Sequence, residues 1–99
     1  MQTAVTFQNI DSSPQLRDYV QSKLDRLDKL LDKPGTADVT LRVEKMRRIA
    51  EVNLSSQWLS VRASEETDDM QAAIDLVVDK LKRQITRKKE KVRTLRVKS

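Results

Sequence analysis

Four cationic side chains recur at intervals of three and four residues near the C-terminal end of the chain, at Lys80, Arg83, Arg87 and Lys91. On a helical wheel of about 100° per residue with Met70 at zero, they occupy one stripe between about 220° and 300°. Such a stripe can bind successive phosphates of a polyanion, because each neutralised phosphate releases condensed counterions. The alternative is a solvated basic face that serves only solubility.

The distribution of charge along the chain favours the phosphate track. Residues 80–99 hold ten Lys or Arg and one acid, a net charge of +9, whereas residues 1–79 hold ten basic and fourteen acidic residues, a net charge of −4. On the same wheel Asp75, Asp79 and Glu90 lie between about 140° and 200°, on the outward side. A helix face that is only solvated usually mixes the two signs in i,i+4 pairs, so this sorting of charge by face indicates a binding surface.

A second helical pattern earlier in the chain repeats the arrangement. With Leu16 at zero, Lys23, Arg26 and Lys29 run from about 340° to 220° on one flank, and acids occupy another. Lys23 lies close to the apolar face. Its stem can therefore pack along the edge of the core with the ammonium outside, or the ammonium can contact a ligand.

Three more cations, Lys45, Arg47 and Arg48, are expected in a turn between two predicted strands. There they could reach into RNA, or they could be ordinary polar turn residues. The centres of the predicted strands carry no Phe, Tyr or Trp, which argues against base stacking on the sheet. We therefore expect contacts with phosphate and sugar to dominate.

The elements that must position these residues begin with a run of β-forming residues from Gln2 to Phe7, which predicts a strand. Ser13 can cap a helix that has Pro14 at its first position, where a missing N–H costs nothing. Pro34–Gly35 is the predicted end of this helix. Its apolar face consists of Leu16, Val20, Leu24, Leu27 and Leu31.

Three segments of alternating apolar and polar residues follow, and each predicts a strand with one buried face. Their apolar positions are Val39, Leu41 and Val43, then Ala50, Val52 and Leu54, then Leu59, Val61 and Ala63. The short links near 46–48 and 56–57 favour antiparallel hairpins. A second amphipathic helix is predicted from Met70 to about Lys91 or beyond, after an acidic segment at 65–69 that suits a helix N-terminus.

The order β-α-β-β-β-α predicts an α+β fold, a two-layer sandwich in which a four-stranded sheet carries two helices on one face. The first two strands should be parallel if they are adjacent. Residues 1–99 should form a single domain with a basic tail from about residue 92. Because Lys88 falls at about 0° on the wheel, the second helix is expected to have left the sheet by that point. The cations beyond Lys91, which are Arg93, Arg96 and Lys98, are expected to be mobile in the free protein and ordered only against RNA.

Composition excludes several classes of function. The chain contains no histidine, no cysteine and one glycine, Gly35, so the commonest metal ligands and a glycine-rich phosphate loop are missing. We expect no enzymatic activity, no metal, no cofactor and no small-molecule substrate. The N-terminal segment does not resemble a signal peptide, and no apolar run approaches the roughly 18 residues of a membrane span. A cytoplasmic protein without a membrane partner is expected.

Four stretches of the sequence occur together in a specific order: LRDYV at 16–20, VEK at 43–45, DMQAAID at 69–75 and DKLKRQI at 79–85. With these stretches the chain resembles the bacterial ribosome hibernation promoting factors, a family related to protein Y and also called sigma modulation proteins. The resemblance covers nearly the whole chain, and the short basic end fits the short form of these factors.

The resemblance implies binding to the small ribosomal subunit, in the channel of messenger and transfer RNA, and ribosome hibernation in stationary phase or stress. The family's basic positions correspond to Lys80, Arg83, Arg87, Lys88 and Lys91 on the second helix, Lys23 on the first helix and Lys45 at a strand end. With Arg26, Arg47 and Arg48 from the charge patterns, these residues are the candidate contacts with ribosomal RNA.

Two functions remain open from the sequence. The first is a ribosome-binding inhibitor of translation, and the second is a protein-interaction regulator whose basic helix docks on an acidic partner. The salt dependence of binding separates them. For RNA, the logarithm of the binding constant falls with the logarithm of the salt concentration with a slope of about −0.7 to −0.9 per phosphate contacted, whereas a protein partner gives a shallower dependence. We also expect the free protein to be a monomer, since the second, dimerising domain of long-form members is missing.

Overall fold

The computed structural model describes residues 1–57 and 59–98, with side chains for 1–57 and 59–90. Its elements are β1 Gln2–Gln8, α1 Pro14–Leu27, a 3₁₀ turn Asp28–Leu30, β2 Thr36–Glu44, β3 Arg47–Ser56, β4 Leu59–Thr67 and α2 Met70–Lys98. The sheet order is β1-β2-β3-β4, with β1 parallel to β2 and the other neighbours antiparallel. The predicted α+β sandwich is confirmed.

One face of the sheet carries the core. The alternating positions predicted from the sequence on β2, β3 and β4 are buried, apart from Val43, which is half-buried. Ala37 on β2 is buried as well. Both helices pack on this face and share one cluster with the strands. Leu24 of α1 and Leu81 of α2 are fully enclosed, and each such side chain contributes about 1.5–3 kcal/mol of transfer free energy. This common core fixes the position of α2 relative to β4.

The first helix starts as predicted but ends earlier. The Ser13 hydroxyl accepts a hydrogen bond of 3.2 Å from the backbone N–H of Leu16. However, α1 ends at Leu27, and Leu31 is already extended, so the predicted end at Pro34–Gly35 was wrong. The apolar periodicity misled because Leu31 packs against the same core from an extended segment.

The single glycine of the chain marks a close approach between two segments and not the end of a helix. A Cβ atom at Gly35 would lie 2.9 Å from Leu31 Cδ1 and 3.1 Å from the carbonyl oxygen of Ser55. Both distances are too short for an ordinary contact, and the second partner is backbone that cannot easily move. A side chain at position 35 would therefore force Leu31 and the backbone of β3 to shift where the chain enters β2.

The first hairpin is tighter than the sequence predicted. Glu44 pairs with Arg47 and Val43 pairs with Arg48, so only Lys45 and Met46 form the turn. The prediction that Arg47 and Arg48 lie in the turn was wrong, because the β2–β3 ladder continues to the last pair that a two-residue turn allows.

The acidic segment before α2 is divided between two elements. Glu65, Glu66 and Thr67 complete β4, whereas the Asp69 carboxylate accepts a hydrogen bond of 3.2 Å from the N–H of Ala72 in the first turn of α2. The predicted negative charge at the helix N-terminus is thus supplied by Asp69, which also satisfies one of the unpaired N–H groups there.

The second helix stays on the body of the protein further than predicted. The Lys88 ammonium donates to the carbonyl oxygen of Ser60 across 2.6 Å, and the Lys89 ammonium donates to that of Leu30 across 2.7 Å. The expectation that α2 has left the sheet by Lys88 was wrong, because long lysine side chains continue the contact where the apolar stripe ends. The predicted mobility of the cations beyond Lys91 lies outside the described side chains.

Candidate nucleic-acid interface

One flank of α2 runs along β4, which is one of the two edge strands of the sheet. Lys80 Nζ lies 3.5 Å from Glu65 Oε1, Gln84 Nε2 donates to the carbonyl oxygen of Arg62 across 3.0 Å, and Lys88 donates to that of Ser60. Lys80, Gln84 and Lys88 are four residues apart and form what we call the edge row. Gln84 and Lys88 satisfy two carbonyl groups of an edge strand, so another strand could pair there only by displacing them.

A second row lies further from the sheet. Arg83 and Arg87 are exposed, and among residues 1–57 and 59–90 neither has an ion pair or hydrogen bond through its side chain. On the wheel they lie at about 220° and 260°, beyond the edge row and away from α1. Their guanidinium groups are therefore available for a bidentate contact with phosphate. The Lys91 side chain lies outside the described part of the chain.

The α1 cations face a different flank of α2. The Tyr19 hydroxyl donates to Asp75 across 2.5 Å, and Lys23 Nζ lies 3.3 Å from the same carboxylate and 5.5 Å from the centre of the Tyr19 ring. The hydrogen bond to Asp75 raises the pKa of Tyr19 above its usual value, helped by partial burial. Lys23 is thus paired with Asp75 at a partly exposed site.

Arg26 lies one turn beyond Lys23 on the same flank of α1. It is exposed, and its side chain has no ion pair with any described residue. The structure does not bring Lys23 and Arg26 together with Arg83 and Arg87, because the two groups lie on opposite flanks of α2.

The hairpin cations form a third group near the start of α2. Arg48 pairs with Thr67, three residues before the helix begins, and Lys80 follows about 15 Å further along the helix axis. Arg47 lies 3.8 Å from Glu66. Lys45 and Arg48 have no side-chain partner within the described ranges. The candidate contacts are therefore spread over the hairpin and the two helices.

The outer face of the sheet carries Arg42 and the exposed Arg62. Arg42 Nη1 lies 2.8 Å from Glu51 and Arg42 Nε lies 3.1 Å from Glu44, and the hydrogen bond to Glu51 raises the pKa of Arg42 above its usual value. This cation is already paired within the protein. A phosphate at this position would meet two carboxylates.

Sequence reasoning did not select two exposed apolar residues. Met46 at the tip of the first hairpin is 81% exposed, and Leu76 on α2 is 43% exposed. The available signal was a large apolar side chain in a turn predicted to be polar. Within the described residues, no group of His, Cys, Asp and Glu side chains could hold a metal ion, and no helix has the length and hydropathy needed to cross a membrane.

Comparison with known proteins supports the resemblance seen in the sequence. Residues 3–93 match the profile of the family described as sigma 54 modulation protein / S30EA ribosomal protein. The ribosome hibernation promoting factor of Klebsiella oxytoca is 39% identical over 93 residues, which are 94% of this chain and 98% of the relative. That of Azotobacter vinelandii is 40% identical over 91 residues, 92% of this chain and 85% of the relative.

Two solved structures share the fold. The N-terminal domain of Thermus thermophilus protein Y superposes with a TM-score of 0.82 at 35% identity, covering 88% of this chain and 98% of that chain. A ribosomal subunit interface protein from Coxiella burnetii gives a TM-score of 0.83 at 29% identity, covering 91% and 99%. By sequence over nearly its full length, and by the fold of its relatives, the chain belongs to the sigma 54 modulation protein / S30EA ribosomal protein family.

Proposed function

We propose that this protein binds the small ribosomal subunit, occupies the channel of messenger and transfer RNA, and so promotes ribosome hibernation in stationary phase or stress. Family membership and the names of its relatives support a ribosome-associated hibernation factor. The observation that carries the proposal is the row of Arg83 and Arg87, which are exposed and unpaired with described residues. Internal ion pairs engage Arg42, Lys23 and, in part, Lys80.

The mechanism is occupancy held by electrostatic attraction. A compact sandwich with a rigid helix presents guanidinium groups at intervals that match successive phosphates, and counterion release supplies the binding free energy. Because the contacts are with phosphates, they fix the position of the protein without reading base sequence. Messenger and transfer RNA are excluded because the protein fills the volume of the channel that they would occupy.

The test is equilibrium binding to purified small subunits over a range of salt concentrations. The double variant Arg83→Gln/Arg87→Gln should bind more weakly and should flatten the log–log slope by roughly 1.5 units. The matched control is Arg17→Gln/Lys33→Gln, which removes the same charge from exposed positions that are not among the candidate contacts and should leave the slope within about half a unit of the parent.

Occupancy of the channel is tested by competition. Bound protein should be displaced by, or should prevent binding of, messenger RNA and initiator transfer RNA on the small subunit. A parent protein that binds small subunits together with both RNAs would contradict the channel assignment. Capture of an acidic protein with a shallow salt dependence, and no binding to ribosomes, would favour the alternative regulator in which the basic helix docks on a protein.

A further inference from the structure

The tip of the β2–β3 hairpin combines an apolar side chain with cations in a way the fold does not require. Met46 is 81% exposed and lies between Lys45 and Arg47. Isolated apolar residues on a surface are common. Here, however, the exposed methionine lies in a hairpin turn with a basic residue directly before it, Lys45, and two basic residues directly after it, Arg47 and Arg48.

The backbone of this turn is also unusual. Lys45 has a φ of 54°, and among the described residues Asn9 is the other non-glycine residue with a positive φ. A two-residue hairpin turn with a positive φ at its first position and a negative φ at its second has the signs of a type II′ turn, where glycine normally stands first. Glycine or asparagine would form this turn with less strain. The fold does not explain the lysine, and a ligand for its side chain would.

The cations at the tip are only weakly engaged by the protein itself. Lys45 is exposed and Arg48 is half-buried, and neither contacts a described acidic side chain. Arg47 lies 3.8 Å from Glu66, and both side chains are more than half exposed, so this pair adds little. The tip therefore presents net positive charge around one flexible apolar group.

Single-stranded RNA fits this combination. An unstacked nucleotide presents a planar apolar base next to a phosphate, and methionine adapts its shape and packs well against aromatic rings. A membrane surface fits less well, because one methionine buries little area and stable attachment needs a larger apolar face. Resting on the proposed function, we propose that Met46 packs against an unstacked base of small-subunit ribosomal RNA while Lys45, Arg47 and Arg48 bind the flanking phosphates.

The contact can be observed directly with photo-methionine at position 46 in the full chain bound to small subunits. The expected product is a cross-link from residue 46 to a nucleotide, identified by mass spectrometry. A cross-link to a ribosomal protein, or to lipid when anionic vesicles are added, or no cross-link in a complex that has formed, would overturn the proposal. If the parent protein does not bind small subunits at all, the proposed function fails instead.

Variants at the tip separate apolar contact from charge. Met46→Gln should weaken binding by about 3- to 10-fold with an unchanged salt slope, and Met46→Leu should retain most of the affinity. Lys45→Asn should lower the slope by about 0.7–0.9 while thermal stability rises or stays equal, since asparagine tolerates a positive φ. Gln57→Ala, in the link at the other end of the sheet, is the control and should change neither quantity.

These outcomes show whether the Met46 side chain contacts RNA in the complex. Equal affinity of Met46→Gln and the parent would overturn the proposal, and so would a loss in Met46→Leu as large as that in Met46→Gln. Because Met46 is so exposed, all these variants should melt within about 1 °C of the parent apart from the gain expected for Lys45→Asn.

Discussion

Tyr19 on α1 donates a hydrogen bond of 2.5 Å to Asp75 on α2, and the same carboxylate lies 3.3 Å from the ammonium of Lys23. The acidic flank of α2 thus has a structural use, because it joins the two helices. It also changes the role expected for Lys23. A phosphate that approaches Lys23 would meet the negative charge of Asp75, so this lysine is a weaker candidate for RNA binding than the arginines of α2.

Replacing Asp75 tests this joint between the helices. Asp75→Asn should lower the pKa of Tyr19 toward its usual value of about 10 and should destabilise the fold by roughly 1 kcal/mol. Absorbance titration reports the pKa, since the chain contains one tyrosine. Ribosome affinity should be equal or tighter, because a negative charge next to Lys23 is lost. Weaker binding in a folded Asp75→Asn protein would contradict this account.

The same pair predicts how stability depends on pH. The folded pKa of Tyr19 is raised, so its contribution is complete below the unfolded pKa of about 10 and is lost as pH rises through the folded value. Melting temperatures of the parent should therefore fall in the alkaline range more steeply than those of Tyr19→Phe. Parallel curves for the two proteins would show that the hydrogen bond to Asp75 does not contribute.

Lys88 is predicted to position α2 and not to bind RNA. Lys88→Gln should lower stability by roughly 0.5–1.5 kcal/mol, since it weakens a charged hydrogen bond to the Ser60 carbonyl at an exposed site. Lys88→Arg should restore stability because it keeps the donor. The salt slope for ribosome binding should change by much less than the value of about 0.7–0.9 that the loss of one phosphate contact would give.

Lys82→Gln is the matched control, because Lys82 is exposed on the same helix and has no side-chain partner in the described regions. The contrary outcome is that Lys88→Gln leaves the stability of the fold unchanged but lowers the salt slope of ribosome binding by the full value of one phosphate contact. Lys88 would then leave Ser60 and bind RNA, as the family resemblance implied.

Glu65 is predicted to weaken the contribution of Lys80. Their charged groups lie 3.5 Å apart, so Glu65→Gln should free the lysine and tighten ribosome binding by about 2- to 3-fold at low salt, an effect that salt removes. Glu51→Gln, which breaks a pair with Arg42 on the outer face of the sheet, should have less effect. Equal gains from the two variants would indicate a general charge effect.

The sequence was sufficient for the fold because periodicity and burial agree along most of β2 and β3 and along α2 from Met70 to Ile85. The sequence failed to predict the end of α1, because the same apolar spacing continues from the helix into an extended segment. Leu31 follows the helical spacing although its backbone is extended. For the interface, the wheel separated Arg83 and Arg87 from the acids but could not show which side of α2 faces β4. Only the structure shows that Lys80 pairs with Glu65 of β4, whereas Arg83 and Arg87 have no side-chain hydrogen bond or ion pair with a described residue.

The β4 edge gives the last prediction, that the protein is a monomer. The carbonyl groups of Ser60 and Arg62 accept hydrogen bonds from Lys88 and Gln84, so another copy cannot pair with this part of β4 without displacing both donors. Light scattering at micromolar concentration should give the mass of one chain. Gln84→Ala/Lys88→Ala should expose the edge and promote self-association. Arg83→Ala/Arg87→Ala, with the same spacing and no hydrogen bond to the described part of β4, should not. A stable dimer of the parent would contradict the monomer prediction, and equal association in both double variants would show that the edge row has no protective role.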